Sequence, residues 1–311
     1  MLPSQYWLGT PARATPLIAL TALTLVAFAA NSLLCRAALR SSLVDPASFT
    51  AIRLASGAVV LGLLLLCRRA PPTGEASGAS WGSALALAAY AIFFSLAFVR
   101  IGAGVGALIL FGAVQVSMIG WSMVGSEFPS MAEALGLLLS LAGLAWLTLP
   151  HAVAPDALGA TLMGVAGIAW GSYSLRGRRV RAPIRATAGN FMMAVPLAAM
   201  PVLLSVASLR VTSEGLILAV ISGAVTSGLG YVLWYSVLPA LGGTRAAVVQ
   251  LLVPVIAVLG SIIFLGEALT AHLALSGMVI LAGVAVAMRG RGTRHAGRES
   301  MVDGQPSTAD R

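Results

Sequence analysis

At 311 residues, with 59% hydrophobic and 9% charged residues and a mean hydropathy of +0.95, the chain lies far outside the composition of a soluble globular domain and reads as an integral membrane protein. Its net charge of +9 comes from arginine alone, since the chain has no lysine, and the arginines' places between apolar segments argue for an orientation signal and against a nucleic-acid surface. Cys35 and Cys67 are the only cysteines and fall at segment ends, which supports neither a disulfide framework nor a thiolate metal site.

Ten apolar segments of roughly 18 to 24 residues, each long enough to cross a bilayer as a helix, follow one another along the chain. The first five are Pro16–Ala38, Ala47–Cys67, Trp81–Val99, Gly102–Val124 and Met131–Leu149. The other five are Ala157–Leu175, Thr187–Ser208, Gly215–Leu238, Thr244–Phe264 and Ala271–Met288. They are apolar all round and lack the period-two alternation of a transmembrane barrel strand. The first is longer than the apolar core of a signal peptide and has no clear small-residue cleavage site before Arg36, so it reads as a permanent span. Short loops leave no room for a soluble catalytic domain. Residues 1–15 form the N-terminus, and the polar stretch 289–311 reads as a disordered tail whose arginines suit anionic lipid.

Residues 16–150 and 151–288 can be laid over each other with an offset of 140 residues. The offset pairs Glu127 with Glu267, Arg36 with Arg176, Ser32 with Ser172, Gly102 with Gly242, Gly120 with Gly260, and Leu141-Ala142-Gly143 with Leu281-Ala282-Gly283. Charged residues are scarce in this chain, so the Arg and Glu matches weigh most. With five spans per half, the second half must enter the membrane upside down, the inverted-repeat construction of many secondary transporters. Placing both termini in the cytoplasm puts fourteen arginines inside, leaving Arg36, Arg40, Arg53, Arg100 and Arg210 outside. Ser130-Met131-Ala132-Glu133 has capping-box spacing at the start of the fifth span, and Thr270 can cap the tenth.

Four patterns carry a family resemblance. They are Phe264-Leu265-Gly266-Glu267-Ala268-Leu269-Thr270 before Leu281-Ala282-Gly283, Trp170-Gly171 in the sixth span, Asp45-Pro46 followed by Arg53, and Pro254 in the ninth. With the five-plus-five repeat, the chain resembles the EamA-like branch of the drug/metabolite transporter superfamily across its membrane region. Two departures make the halves unequal: Ala30-Asn31 stands where Trp-Gly is common, and Val114 is the counterpart of Pro254. The resemblance implies an all-α membrane protein of ten helices in two inverted repeats, with a central cavity lined by the first, third, fourth, sixth, eighth and ninth spans. It also implies amino acids or related polar metabolites as the substrate class.

No Asp, Glu, His or Lys lies deep in a span, which argues against a proton-exchanging carboxylate, zinc chemistry and an intramembrane enzyme. Neutral polar and aromatic groups remain. Asn31, Gln115 and Gln250 must point inward, either lining a cavity or bonding neighbouring helices. Pro254 removes the amide that would bond the Gln250 carbonyl, which would free that carbonyl for a ligand or a hinge. Tyr90 and Trp170 are cavity candidates through the resemblance, with aromatic packing as the alternative. Tyr231, Trp234 and Tyr235 read as an interfacial aromatic belt. Arg53 could meet an anionic substrate, but snorkelling to the outer interface is favoured. Glu127 and Glu267 read as helix-end groups.

The expected function is export of small organic metabolites such as amino acids by a secondary transporter of the inner membrane. A drug or quaternary ammonium exporter and a non-transporting membrane scaffold are the alternatives. No cofactor or metal is called for. The partners are the small-molecule substrate and membrane lipids, without nucleic acid, and a homodimer is left open.

Overall fold

The computed structural model describes residues 11–67, 78–101, 103–125, 127–149, 156–206, 209–265 and 268–290. Glu267, Gly102 and the expected tail beyond 290 lie outside them. All regular elements among the described residues are helical, apart from one antiparallel bridge between Val44 and Val211. The helices are α1 (Pro11–Arg40), α2 (Pro46–Cys67), α3 (Trp81–Phe98), α4 (Ala103–Val124), α5 (Met131–Thr148), α6 (Ala157–Gly177), α7 (Pro183–Leu204) and α8 (Ser213–Ile221). A π-helical segment, Ser222–Leu229, joins α8 to α9 (Gly230–Val249), and α10 (Leu252–Leu265) and α11 (Ala271–Arg289) complete the chain.

Eight helices are long and apolar enough to span a bilayer, α8, the π segment and α9 counting as one run. Two expected spans fall outside that set. α6 has the length but is less apolar, because Trp170, Tyr173 and Ser174 are buried on a helix packed against α3 and α4 and need not be dressed for lipid. The expected ninth span is split. Pro254 offers no amide to the Gln250 carbonyl, so the Val253 N–H donates to that carbonyl at 2.9 Å, and α10 begins only at Leu252. The carbonyl expected to be free is therefore taken. A second break lies at Gly242, whose φ of +75° is open to glycine at little cost and turns the chain within α9.

Caps close the helix ends as their spacing predicts. The Ser130 hydroxyl accepts from the Glu133 amide while the Glu133 carboxylate accepts from Ser130, and Thr270 accepts from the Leu273 amide at 3.2 Å. Asp45 accepts from the amides of Ser48 at 2.9 Å and Arg210 at 3.0 Å, tying the start of α2 to the segment before α8. Burial works to raise its pKa, but these hydrogen bonds outweigh that and hold the carboxyl below the usual range.

The helices pair in a definite pattern. α5 lies along α11, α2 along α7 and the π segment, α3 along α6 and α7, α4 along α6, and α1 along α10 and α9. Small residues let these backbones approach, and Ser140 on α5 donates both to its own Gly136 carbonyl at 2.8 Å and across to the Ile280 carbonyl at 3.3 Å. Large apolar side chains such as Leu66, Val116, Leu204 and Ile263 project outward, a surface for lipid tails to cover.

Candidate substrate chamber

The chamber begins with a contact that only glycine permits. A Cβ on Gly223 would come within 2.0 Å of the Arg53 carbonyl, so its absence lets the π segment lie directly on α2. One turn further along the π segment, the Ser227 hydroxyl receives the Arg53 Nε at 2.8 Å. The same segment turns Ser222 and Thr226 toward α1, where both donate to the Asn31 side-chain oxygen, at 2.7 and 3.2 Å. A π-helical turn of this kind often marks a functional site.

Arg53 is fully buried. Its Nη2 donates to the Tyr231 hydroxyl at 2.6 Å, and its guanidinium carbon lies 5.5 Å from the centre of the Tyr90 ring. Its Nη1 is buried with no partner, and among the described residues no carboxylate lies within ion-pair distance of it. The snorkelling expected of Arg53 is thus overturned. Hydroxyls from the π segment and α9 hold the guanidinium inside, which a hydropathy profile of α2 alone does not register.

An aromatic wall stands in front of this group. Trp170 packs against Tyr90 at 4.9 Å, Tyr231 at 4.8 Å and Phe28 at 5.3 Å. Its indole N–H donates to the Gln250 side-chain oxygen at 2.6 Å, and the Gln250 amide nitrogen donates to the Ala246 carbonyl at 3.0 Å. Tyr231, Trp234 and Tyr235 are all buried, so the expected interfacial belt is also overturned. Their helix runs through the bundle, and its aromatic face meets Tyr173, Trp170 and Ser174.

Two neighbouring volumes adjoin the wall. The deeper, about 40 Å³, is lined by Phe28, Asn31, Tyr90, Trp170, Tyr231 and Gln250 among others. It shares Ser32, Phe94, Leu110, Phe111 and Val253 with a larger cavity of about 240 Å³. That cavity extends toward the end marked by Arg36, Ile101 and Leu273, between the C-terminal parts of α1 and α3, the N-terminal part of α4 and the stretch Val253–Ser261 of α10. The structure therefore gathers Asn31, Tyr90, Trp170 and Gln250 at one place. Gln115 does not reach either volume, because its amide turns toward α9 and donates to the Ala247 carbonyl at 2.8 Å.

The opposite end is closed. Trp234 donates to Ser174 at 2.9 Å and Tyr235 to the Tyr173 carbonyl at 3.1 Å. Beyond them, Arg178 pairs with Glu127 at 2.9 Å and Arg245 with Glu133 at 3.3 Å, each linking residues before 150 to residues after it. Glu127 is thus a partner to the other half of the chain. Residues missed or undervalued in the sequence were Arg53, Tyr231 and the hydroxyls of Ser222, Thr226 and Ser227. A cluster of hydroxyls among glycines was the available signal.

Residues 157–289 match the family model described as the EamA-like transporter family. An uncharacterised protein of Pseudomonas aeruginosa is 47% identical over 272 residues, spanning 88% of this chain and 94% of that relative. A solved crystal structure shares the fold with a TM-score of 0.75 at 19% identity, over 88% of this chain and 97% of that one.

Proposed function

The chain belongs to the EamA-like transporter family, and on that premise we propose that it is a secondary transporter exporting small organic metabolites, amino acids among them, by alternating access. The chain is a multi-pass membrane protein of the drug/metabolite transporter type, and its family and helical fold point to transport and away from catalysis. In this reading ten spans form two inverted repeats, 16–150 and 151–288, in the inner membrane with both termini cytoplasmic. Asn31, Tyr90, Trp170 and Gln250 meet the substrate, and Gln115 braces the wall from behind.

The one-sidedness of the cavity carries the proposal. The larger cavity lies toward the end of Arg36 and Ile101 and shares lining with the volume at the aromatic wall, while aromatic side chains and two ion pairs close the other end. A rocking of one half against the other would exchange which end is closed. The packing supports such a repeat. α5 and α11 begin at Met131 and Ala271, an offset of 271 − 131 = 140, and Ser140 bonds the residue 140 positions on. Under the same offset the pairing of α1 with α10 corresponds to that of α6 with α4, and both occur. A quaternary ammonium exporter is disfavoured, because among the described residues the only buried charge at the wall is the positive Arg53.

Uptake by inside-out vesicles of a labelled metabolite panel tests the function. Saturable uptake above vesicles lacking the protein is expected, and its absence across the panel would remove the transporter reading. Orientation is checked with single cysteines in a background lacking Cys35 and Cys67. Asp156→Cys should react from outside intact cells and Gly304→Cys should not, and the reverse pattern would sink the orientation.

A further inference from the structure

All ten carboxylates of this chain (Asp45, Glu75, Glu127, Glu133, Asp156, Glu214, Glu267, Glu299, Asp303 and Asp310) fall between the apolar segments of the sequence, at the very start of one, or beyond the last. Arg53 lies about two turns inside α2, and no carboxylate of the described residues pairs with it. The guanidinium makes two neutral hydrogen bonds, to Ser227 and Tyr231, and leaves Nη1 buried and unpartnered. An uncompensated charge in a membrane interior is costly, and it persists where it serves a ligand or ion path. Here that charge sits immediately behind two rings of the chamber wall, Tyr90 and Tyr231.

Tyr231 gives the charge a way through the wall. Its oxygen accepts from Arg53, so its own proton remains to be donated, and a phenol polarised by a guanidinium is a strong donor to an anion. In a site of low dielectric the field of the guanidinium also reaches across the ring with little screening. The Trp170 N–H is committed to Gln250, and of the two phenols on the wall, Tyr90 and Tyr231, it is Tyr231 whose oxygen accepts from Arg53 at 2.6 Å. The wall holds no acidic group for an ammonium, and the cavity beyond it is walled by Phe94, Phe98, Leu110 and Phe111.

We propose that Arg53 is the carrier's counter-charge for a carboxylate on the substrate, received at the Tyr231 hydroxyl, and that the substrate class is small carboxylates with an apolar body. The ammonium of an amino acid is dispensable. This rests on the transporter reading and narrows its substrate.

Three probes sharing one body separate the groups: phenylalanine, 3-phenylpropionate, which lacks the ammonium, and phenethylamine, which lacks the carboxylate. The neutral 3-phenylpropanamide serves as control. Binding is read from the intrinsic tryptophan fluorescence of purified protein and transport from vesicle uptake. We expect 3-phenylpropionate to bind at least as well as phenylalanine, and the amine and amide at least about ten-fold more weakly. Arg53→Gln should weaken acid binding by about thirty-fold or more, with Arg53→Lys recovering part of the loss. Tyr231→Phe keeps the ring and its packing, so it tests the path even if Arg53→Gln fails to fold, and it should weaken acid binding about ten-fold while leaving the amide unchanged. Acid binding unaffected by Tyr231→Phe and Arg53→Lys alike overturns the assignment, as does failure of either acid to bind. If the amine or amide is transported instead, the transporter reading stands alone, and if nothing is transported both fall.

Discussion

α4 and the stretch 140 residues later began from matching apolar patterns and have become different objects. α4 runs unbroken from Ala103 to Val124, whereas its counterpart breaks at Gln250–Leu251 and resumes at Leu252. That break follows from one residue, Pro254 in place of Val114. It brings Gln250 to the aromatic wall, while Gln115 on the unbroken helix stays behind it. Both halves line the chamber, and the break at Gln250–Leu251 is where the second half departs from the repeat to reach the wall.

The largest test of that contrast is Val114→Pro. Val114 is fully buried within α4, and a proline there removes a helical bond and clashes with the preceding turn, at a cost of about 3 kcal/mol or more. We expect folded yield in detergent to collapse, and a well-folded Val114→Pro protein would mean that α4 tolerates a break as its counterpart does. Next is Gln250→Leu, which leaves the buried Trp170 N–H without its acceptor at a cost of about 1–3 kcal/mol. It should lower thermal stability and weaken substrate binding together, and unchanged binding would take Gln250 out of the wall.

Gln115→Leu should do much less. The Ala247 carbonyl keeps its bond from the Gln250 amide at 3.2 Å, and the Gln115 side-chain oxygen that would be lost is already unpartnered. A stability change of at most about 1 kcal/mol with unaltered affinity is expected, and a large affinity loss would move Gln115 into the site. Smallest is Glu127→Gln, which removes a half-exposed ion pair worth about 0–1 kcal/mol. Thermal stability should barely move, while a cysteine placed beyond the closed end should label faster. Unchanged labelling would show that this pair does not help to hold the end shut.

Much of the frame was legible in the sequence because it depends on local chemistry. The Ser130 and Thr270 caps and the apolar runs are read from a few consecutive residues. The chamber depends on residues far apart in the chain. Arg53 is held by Ser227 and Tyr231, 174 and 178 residues away, and Asn31 by a hydroxyl 191 residues away. A profile of α2 alone therefore sees a stray cation near a helix end, for which snorkelling is the ordinary outcome. The aromatic run Tyr231, Trp234 and Tyr235 was misplaced for a related reason. On a helix apolar all round, depth can be estimated from position, but which face meets protein cannot.

The missing carboxylate partner of Arg53 has a further consequence for what drives the carrier. No side chain lining the deeper chamber volume is an Asp, Glu or His that could bind and release a proton between its two exposures. A monovalent anion leaving a cell alone would instead move down the electrical gradient. A membrane potential of 100 mV, negative inside, supplies about 2.3 kcal/mol per elementary charge. That corresponds to an outward concentration ratio of about fifty at equilibrium, with no co-transported ion and the work drawn from the potential itself. Voltage, applied across vesicles with a potassium gradient and an ionophore, is then the variable that should set the rate.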